Sequence, residues 1–353
     1  MIFLLYRVTN NERMSATSRP HERPRIGITI GDINGVGPEV IMKALADSRM
    51  LGMLTPVIYG NGRVLSHYKK LLGLQEFTYN QVKEGGNIAV KNVNVINCWD
   101  DQVEVTPGRP SPEAGKAALK AIRRACEDLK AGVIDALVTG PIDKKTVTSE
   151  EFPFAGHTEF ITQFFGAGDS LMLMVSDTLR VGLVTVHVPV AEVAPLITRE
   201  RLQAKLALLE QSLMRDFGVA KPKIAVLGLN PHAGDGGLMG KEEDEIIRPV
   251  VIDLKNKGRL VQGPFPADGF FGSGSARKFD GVLAMYHDQG LIPFKVMSFD
   301  TGVNFTAGLP IVRTSPDHGT AYPIAGKNQA DESSFRQAIF QAVDILARRN
   351  GFP

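Results

Sequence analysis

Short apolar runs alternate with longer amphipathic stretches along most of the chain. Residues 25–31 alternate apolar and polar positions and are rich in isoleucine, which predicts a strand that ends in a glycine-rich turn. Residues 113–131 place alanine, isoleucine and leucine on one stripe at helical spacing, which predicts an amphipathic helix. Further strands are predicted at 54–59, 93–99, 136–139, 223–229 and 282–286, and further helices at 64–72, 199–217, 242–257 and 331–348. This alternation indicates βαβ units and a largely parallel sheet.

Three segments depart from that alternation. Residues 171–176 and 181–187 are apolar runs separated by a short polar turn, which predicts a β-hairpin. Pro249 lies inside the predicted helix 242–257, so we expect a kink or a break there. The six apolar residues at the start are too few for a signal sequence or a bilayer span. We therefore expect residues 1–23 to form a tail outside the fold, with Met1 and Met14 both candidate initiators.

Composition narrows the class of protein. A length of 353 residues predicts about two domains. The 40 basic and 38 acidic residues give a net charge of +2, which does not favour a nucleic-acid binder. Cys98 and Cys126 are the only cysteines, which excludes a disulfide scaffold and a cysteine-based zinc site and favours a reducing compartment. No stretch approaches 18 consecutive apolar residues, so we expect a soluble, cytoplasmic protein.

Three histidines follow predicted strands. His187 ends the apolar strand within the segment LVTVHVPV. His232 lies in the segment LGLNPHAGDGG, and His287 directly follows the segment LAMY. Ligands of open α/β sheets gather at the carboxyl ends of strands, and three neutral imidazoles with one open position hold a catalytic divalent metal. The spacings of 45 and 55 residues are not those of a helical metal motif. Structural histidines therefore remain the alternative to a metal site.

Two glycine-rich turns permit two interpretations. The segment GDINGVGPE at 31–39 has the order G-x-x-x-G-x-G, so it is neither a Rossmann fingerprint nor a P-loop. It is either a tight strand–helix turn or a site where glycine backbone approaches a ligand at a helix N-terminus. The segment NPHAGDGG at 230–237 presents the same choice.

Several charged and polar residues are candidates for the chemistry. Lys295 and Arg313 adjoin apolar runs and are candidate anion binders, with Asn304 between them in the sequence. Lys144 and Asp268 lie at or just beyond predicted strand ends, where they would serve in acid–base catalysis. The alternative for each is a solvated surface charge or a turn residue.

Six motifs in order carry a family resemblance. They are GDINGVGPE, LVTGPIDK, GHTEF, NPHAGDGG, MYHDQGLIPFK and RTSPDHGTAYPIAGK. Together they resemble the 4-hydroxythreonine-4-phosphate dehydrogenase family, from about residue 25 to the C-terminal helix. That family commonly has Pro-Ala where this chain has Ile33 and Asn34.

The resemblance implies a reaction. The family oxidises 4-phosphooxy-L-threonine with NAD or NADP, in the biosynthesis of pyridoxal 5'-phosphate. The product, 2-amino-3-oxo-4-phosphooxybutanoate, loses carbon dioxide to give 3-amino-2-oxopropyl phosphate. A divalent metal takes part, most often zinc, with magnesium and cobalt as alternatives. The family forms homodimers whose site lies at the subunit interface, with metal ligands from both chains.

The resemblance also implies roles for individual residues. The metal ligands it implies are His187, His232 and His287. The substrate contacts are His157, Thr158, Lys295, Asn304 and Arg313. By a looser analogy with the adenine loop of isocitrate and isopropylmalate dehydrogenases, the cofactor contacts are His318, Gly319, Thr320 and Asn328. Lys144 and Asp268 remain the two candidate catalytic residues.

The fold implied is a two-domain α/β/α fold of the isocitrate/isopropylmalate dehydrogenase type, not a Rossmann fold. Its first domain, on the cofactor side, comprises residues 24–140 and 301–353. The second domain comprises residues 141–300 and carries the metal ligands and the dimer interface. No feature indicates a nucleic-acid or membrane partner.

Two rival functions stay open. A dehydrogenase with the same fold can act on a phosphorylated sugar acid such as D-erythronate or D-threonate 4-phosphate, and its metal and phosphate motifs would hardly differ. A binding module is the rival from another class, with structural histidines and an anion held without chemistry.

Overall fold

The computed structural model describes residues 23–83, 86–100, 102–148, 154 and 156–351. The predicted tail therefore lies outside the described residues except for Arg23, and so do the two candidate initiators. Arg23 donates from Nε to the carbonyl of Gly52 at 2.7 Å.

The described residues form one twelve-stranded sheet covered by helices. Its strands are β1 (Arg25–Thr29), β2 (Thr55–Gly60), β3 (Asn80–Val82), β4 (Asn94–Asn97), β5 (Ala136–Thr139), β6 (Leu171–Val175), β7 (Arg180–Leu183), β8 (Ile224–Leu227), β9 (Val261–Phe265), β10 (Gly281–Ala284), β11 (Val303–Ala307) and β12 (Arg313–Pro316). Their spatial order is β3-β4-β2-β1-β5-β12-β11-β6-β7-β10-β8-β9. Neighbouring strands pair in parallel except at β12–β11, β11–β6 and β6–β7, so the prediction of a largely parallel sheet is confirmed.

Helices connect most of the strands. They are α1 (Gly37–Leu45), α2 (Met50–Met53), α3 (Gly62–Leu71), α4 (Pro112–Lys130), α5 (Lys144–Val147), α6 (His157–Phe164), α7 (Val190–Leu196), α8 (Arg199–Arg215), α9 (Arg248–Asn256), α10 (Ala267–Gly272), α11 (His287–Ser298) and α12 (Ser333–Arg349). Among the described residues, no helix combines the length and the apolar character needed to cross a membrane.

The two irregular segments behave as predicted. The pair β6–β7 is antiparallel, with Leu173 opposite Gly182, which confirms the hairpin. The predicted helix 242–257 contains a π-helical turn at Glu243–Ile247 and continues as α9 from Arg248. Pro249, which has no N–H to donate, directly follows that turn, so the proline coincides with a local irregularity of the helix.

The amphipathic helix α4 shows how the core is built. Ser111 caps it by accepting a hydrogen bond at Oγ from the backbone N–H of Ala114, at 3.1 Å. Its predicted apolar stripe is buried, with Ala118, Ile122 and Ala125 fully inaccessible to solvent. This stripe packs on β1 and β2. The strand ends beyond that core are left free to carry functional groups.

Candidate functional site

A cleft of about 640 Å³ opens where β5, β11 and β12 meet the start of α6. Eight of the predicted site residues line it: Lys144, His157, Thr158, His187, Asn304, Arg313, His318 and Gly319. They come from both halves of the sequence, so the fold brings together motifs up to 175 residues apart. The remaining six predicted residues lie outside its lining.

Arg313 is a buried cation in this cleft. Its side chain is 3% exposed, and its hydrogen-bond partners among the described residues are the hydroxyls of Thr139 (2.6 Å), Thr306 (3.0 Å) and Thr158 (3.4 Å). Its Nε has no partner there. Burial lowers the pKa of Arg313 to about 10, so the guanidinium still carries its charge at neutral pH. A buried charge whose hydrogen bonds go to neutral hydroxyls, with the carboxylate of Glu159 as a more distant counter-charge in the cleft, favours an anionic ligand.

His157 begins α6 beside this arginine. Its Nε2 is shielded from solvent and has no hydrogen-bond partner among the described residues. Burial, with smaller contributions from Arg313 and Lys144, holds the pKa of His157 well below its usual value. The ring is therefore neutral at pH 7, with a polar atom left for a ligand.

His187 and His287 form a pair at the edge of the cleft. Their ring centroids lie 5.9 Å apart. Burial is the main cause that lowers the pKa of His187, and Lys144, whose Nζ lies 3.4 Å from His187 Nε2, lowers it further. His287 Nδ1 lies 2.7 Å from Asp288 Oδ1, the kind of carboxylate contact that orients a metal-ligating imidazole.

His232 lies apart from this pair. It opens a turn in which five consecutive residues, 232–236, have left-handed backbone angles, including the non-glycine residues His232, Ala233 and Asp235. Buried Glu243 anchors the turn: its Oε1 accepts the backbone N–H groups of Leu229 and Asn230, both at 2.7 Å. Such a strained turn, held from outside, is typical of functional sites.

Asp268 is likewise outside the cleft. It is exposed in the first turn of α10, and α10 packs against the His232 turn. The chain therefore holds two separate groups: the cleft with its histidine pair, and the turn with His232 beside the helix of Asp268.

A metal site is incomplete within one chain. Among the described residues, no three His, Cys, Asp or Glu side chains lie close enough together to hold a metal ion. The donor chemistry of the pair nevertheless fits a divalent metal, because His187 is neutral and His287 has its second nitrogen fixed by Asp288. The three-histidine site stays a prediction, and it requires a third ligand from elsewhere.

The remaining predicted residues lie near the cleft rather than in its lining. Lys295, on α11, donates from Nζ to the carbonyl of Asp317 at 3.3 Å, next to His318. Thr320 accepts at its carbonyl from the backbone N–H of Val36, at 2.9 Å. Asn328 is exposed and left-handed, with φ of 59°. None of these contacts tests a role in binding.

Sequence reasoning missed several groups in and around the cleft. Thr139 and Thr306 surround Arg313, Glu159 lines the cleft, and Asp288 contacts His287. The only available signal was adjacency: Asp288 follows His287 directly, and Glu159 lies in the GHTEF motif. Thr139 on β5 lies in the LVTGPIDK motif, but Thr306 on β11 lies in none of the six motifs.

Comparison with known proteins assigns the chain to a family. The model of the family described as pyridoxal phosphate biosynthetic protein PdxA matches residues 52–342. The chain belongs to the PdxA family. The resemblance drawn from the six motifs is thereby confirmed.

Individual relatives of the PdxA family agree. The chain is 53% identical over 326 residues to a 4-hydroxythreonine-4-phosphate dehydrogenase of Bacteroides thetaiotaomicron, covering 92% of this chain and 89% of the relative. It is 37% identical over 328 residues to a protein of Oceanobacillus iheyensis that carries a provisional D-threonate 4-phosphate dehydrogenase name, covering 92% and 98% of the two chains.

A crystal structure of 4-hydroxythreonine-4-phosphate dehydrogenase from Klebsiella pneumoniae superposes with a TM-score of 0.76. Its identity to this chain is 34%, and the match covers 92% of this chain and 98% of the other. This match, with the helix-covered sheet, confirms the predicted α/β fold as that of 4-hydroxythreonine-4-phosphate dehydrogenase.

The neutral histidines of this PdxA family member predict a pH dependence of stability. Burial lowers the pKa of His157 and of His318 in the folded chain, whereas unfolding restores a value near 6.5. Below pH 6.5 the unfolded chain thus binds protons that the folded chain does not. The free energy of unfolding should therefore fall on acidification, by at most about 1.4 kcal/mol per pH unit for each histidine.

Urea denaturation at several pH values between 5 and 8 measures this slope. The variant His157→Asn should show a shallower fall than the parent, and His67→Asn, on the exposed side of α3, is the matched control. Equal slopes for the parent and His157→Asn would refute the assignment.

Proposed function

We propose that the protein is a metal-dependent NAD(P) dehydrogenase that oxidises 4-phosphooxy-L-threonine to 2-amino-3-oxo-4-phosphooxybutanoate, in pyridoxal 5'-phosphate biosynthesis. The observation that carries the proposal is the cleft that buried Arg313 and His187 line together, with His287 5.9 Å from His187 at its edge. An anion site beside a pair of imidazoles suits a phosphorylated alcohol bound to a divalent metal. The names of the relatives supply the substrate.

The phosphate end of the substrate is assigned to the buried side of the cleft. Arg313 supplies the charge, and its guanidinium fork suits phosphate oxygens. His157 and Thr158 lie at the N-terminus of α6, where Thr158 Oγ1 already contacts Arg313. Lys295 and Asn304 are the further proposed contacts. Together these residues orient the secondary alcohol toward the histidine pair.

The metal is assigned to His187, His287 and a His232 supplied by a second copy of the chain. Two ligands lie together in one chain and the third lies apart, which supports a shared site. A divalent cation held by these histidines would supply Lewis-acid chemistry, which lowers the pKa of an alcohol and stabilises the negative charge on its oxygen. Zinc is the first choice for this ligand set, with magnesium and cobalt as alternatives.

The surface around these groups supports a homodimer. Ile292, Val296 and Phe299 lie three to four residues apart on α11 and its end, and their side chains are 61%, 82% and 72% exposed. Leu238, directly after the His232 turn, is 81% exposed. Exposed apolar groups of this size mark interaction surfaces. They lie on the same elements that carry His287 and His232.

Lys144 is the proposed proton acceptor within the cleft. Its Nζ lies 3.4 Å from His187 Nε2, next to the proposed position of the substrate hydroxyl. Lys144 would take up the hydroxyl proton, and a bound nicotinamide would supply the acceptor for the hydride from the same carbon. The β-keto acid then loses carbon dioxide. Asp268 would take part only in a site that a second copy completes, because in this chain it lies outside the cleft.

The domain division is proposed on the sheet order. Strands β1–β5 and β12 are neighbours, whereas β6–β10 lie on the other side of β11. This order supports a first domain built from residues 24–140 and 301–353, and a second from residues 141–300. The cofactor contacts His318, Gly319, Thr320 and Asn328 then belong to the first domain. A cytoplasmic location stays a prediction, and NAD and NADP stay alternatives.

Turnover of defined substrates tests the function. The protein, loaded with zinc, is mixed with NAD or NADP and with 4-phosphooxy-L-threonine, D-threonate 4-phosphate or D-erythronate 4-phosphate. Absorbance of the reduced nicotinamide and release of carbon dioxide are followed together. We expect both signals to be fastest with 4-phosphooxy-L-threonine.

Two results would overturn this choice. Fast turnover of either sugar acid, without turnover of 4-phosphooxy-L-threonine, would assign the second candidate function, which the Oceanobacillus iheyensis relative favours. Binding of these phosphorylated compounds without reduction of NAD or NADP would favour a binding module.

A further inference from the structure

The glycine-rich turn after β1 is buried rather than exposed to a ligand. Every residue from position 31 to 40 is buried, and Asp32 is completely inaccessible to solvent. A Cβ at Gly31 would lie 2.5 Å from the carbonyl oxygen of Pro141, and one at Gly37 would lie 2.4 Å from that of Ile30. The glycines thus allow close packing within the protein, which favours the tight-turn interpretation. Ligand contact therefore does not explain why this turn contains the buried carboxylate of Asp32.

The buried turn contacts the proposed cofactor loop, residues 318–328. The backbone N–H of Val36 donates to the carbonyl of Thr320 at 2.9 Å. The hydroxyl of Tyr322 donates to Asp32 Oδ2 at 2.8 Å, while Asp32 Oδ1 accepts the backbone N–H of Asn34, also at 2.8 Å. Both oxygens of the buried carboxylate are therefore occupied, one of them by the loop.

The same hydroxyl also reaches the element that carries Lys144. Tyr322 Oη lies 3.3 Å from Asp143 Oδ2, and Asp143 Oδ1 caps α5 by accepting the backbone N–H of Lys145 at 2.9 Å. Tyr322 therefore connects the buried turn, the cofactor loop and the start of α5. One oxygen atom joins three separate segments of the chain.

The cofactor loop needs such a restraint. Ala321 and Asn328 adopt left-handed backbone angles, with φ of 42° and 59°, which are unfavourable for residues with a Cβ. Gly319, Lys327, Asn328 and Gln329 are exposed, so packing restrains these positions little. The hydrogen bond from Tyr322 to the fully buried carboxylate of Asp32 fixes the loop at its centre.

We propose that Asp32 and Tyr322 form a clamp that holds the 318–328 loop in the conformation that binds the nicotinamide cofactor. The proposal rests on the proposed function, in which this loop contacts NAD or NADP. Tyr322 and Asp32 are positioning residues, since they act through the loop and do not themselves touch the reacting atoms. A loop that is already ordered binds its ligand more tightly, because binding no longer has to order it.

Removing one oxygen atom tests the clamp. In Tyr322→Phe, the loop loses its hydrogen bond to Asp32 and its longer contact with Asp143, and it retains the aromatic ring. We expect the dissociation constant of NADH or NADPH, whichever the parent binds, to rise about 10-fold in a fluorescence titration. The KM of the oxidised cofactor should rise equally, while kcat and the KM of the phosphorylated substrate stay within about twofold.

Tyr79→Phe is the matched control. It removes a hydroxyl that contacts the carbonyl of Gly62 at 2.9 Å and Ser66 Oγ at 2.8 Å, in the same half of the sheet. It should leave the cofactor dissociation constant unchanged. Asp32→Asn, which retains the shape of the acceptor, should raise that constant less than Tyr322→Phe does. In the double variant the two effects should not add, because both substitutions weaken one hydrogen bond.

The outcomes separate the clamp from the function. If the parent protein binds neither NAD nor NADP, the proposed function fails. If the parent binds a cofactor and Tyr322→Phe binds it equally well, the clamp is wrong. The clamp is also wrong if Tyr322→Phe lowers the melting temperature, lowers kcat and changes the KM values of both the cofactor and the phosphorylated substrate. That combination would indicate a hydroxyl with a structural role only.

Discussion

Alanine at His187 or His287 is expected to remove the bound metal and to lower kcat/KM by at least about 1,000-fold, about 4 kcal/mol of transition-state stabilisation. Each substitution deletes one of the two imidazoles that lie 5.9 Å apart at the edge of the cleft. A single remaining ligand in the chain does not hold a catalytic cation. Metal content of the dialysed protein and steady-state kinetics measure the two effects.

Mixing inactive variants tests where the third ligand comes from. If His232 of one copy completes the site of the other, mixed dimers of His187→Ala and His232→Ala chains contain one intact site. After joint unfolding and refolding, an equal mixture should recover roughly a quarter of the parent activity. A mixture of His187→Ala and His287→Ala should recover none, because those ligands belong to the same chain and every site lacks one.

These mixtures give clear contrary results. Full loss of activity in the first mixture would place all three histidines in one chain, against the separation seen here. His67→Ala, at the exposed side of α3, should retain metal and activity. The metal assignment is wrong if all three variants, His187→Ala, His232→Ala and His287→Ala, retain the metal content of the parent. The three histidines would then have structural roles.

Much of the sheet was predictable from local sequence because its strands are short apolar runs between polar helices. The hairpin was predictable for the same reason, and the irregularity near Pro249 from the proline itself. Strands β3, β9, β11 and β12 were not predicted; Asn80–Val82 are largely polar, and Val261–Phe265 contain Gly263 and Pro264. Helix α11 was missed because Pro293 lies inside it and its outer face is apolar.

The site was predictable only as a collection of strand ends. Local sequence indicated that His187 and His287 follow strands, but not that β7 and β10 are hydrogen-bonded neighbours. That pairing alone brings the two rings together across 100 residues of sequence. His232 follows β8, the other neighbour of β10, but it lies in a left-handed turn and does not join the His187–His287 pair. Glu243 holds this turn through its hydrogen bond from the backbone N–H of Leu229, and the pattern of strands does not predict such a contact.

The departure from the family pattern at Asn34 has a structural basis. Its side-chain oxygen accepts the backbone N–H of Thr106 at 2.8 Å, and its carbonyl accepts that of Gly108 at 2.8 Å. Asn34 therefore attaches the segment before α4 to the buried turn. The departure affects packing behind the cofactor loop and none of the proposed metal ligands.

Loss of the buried charge at Arg313 is expected to weaken binding of the phosphorylated substrate strongly. Arg313→Gln should lower kcat/KM by about 100- to 1,000-fold, about 3–4 kcal/mol, because the phosphate loses its buried cationic partner. The KM of the cofactor should change little. Inorganic phosphate should inhibit the parent by occupying this position, and it should inhibit the variant far more weakly.

Two further variants make this result specific to the charge in the cleft. Arg313→Lys retains a positive charge but lacks the planar fork, so it should recover part of kcat/KM. Arg180 is a second partly buried arginine, stacked 4.7 Å from the ring of Phe217 outside the cleft, and Arg180→Gln is the control for loss of a buried guanidinium. It should lower the melting temperature without raising the KM of the substrate. Unchanged kcat/KM and phosphate inhibition in Arg313→Gln would show that the substrate phosphate binds elsewhere, and the buried arginine would then serve only to hold Thr139, Thr158 and Thr306 together.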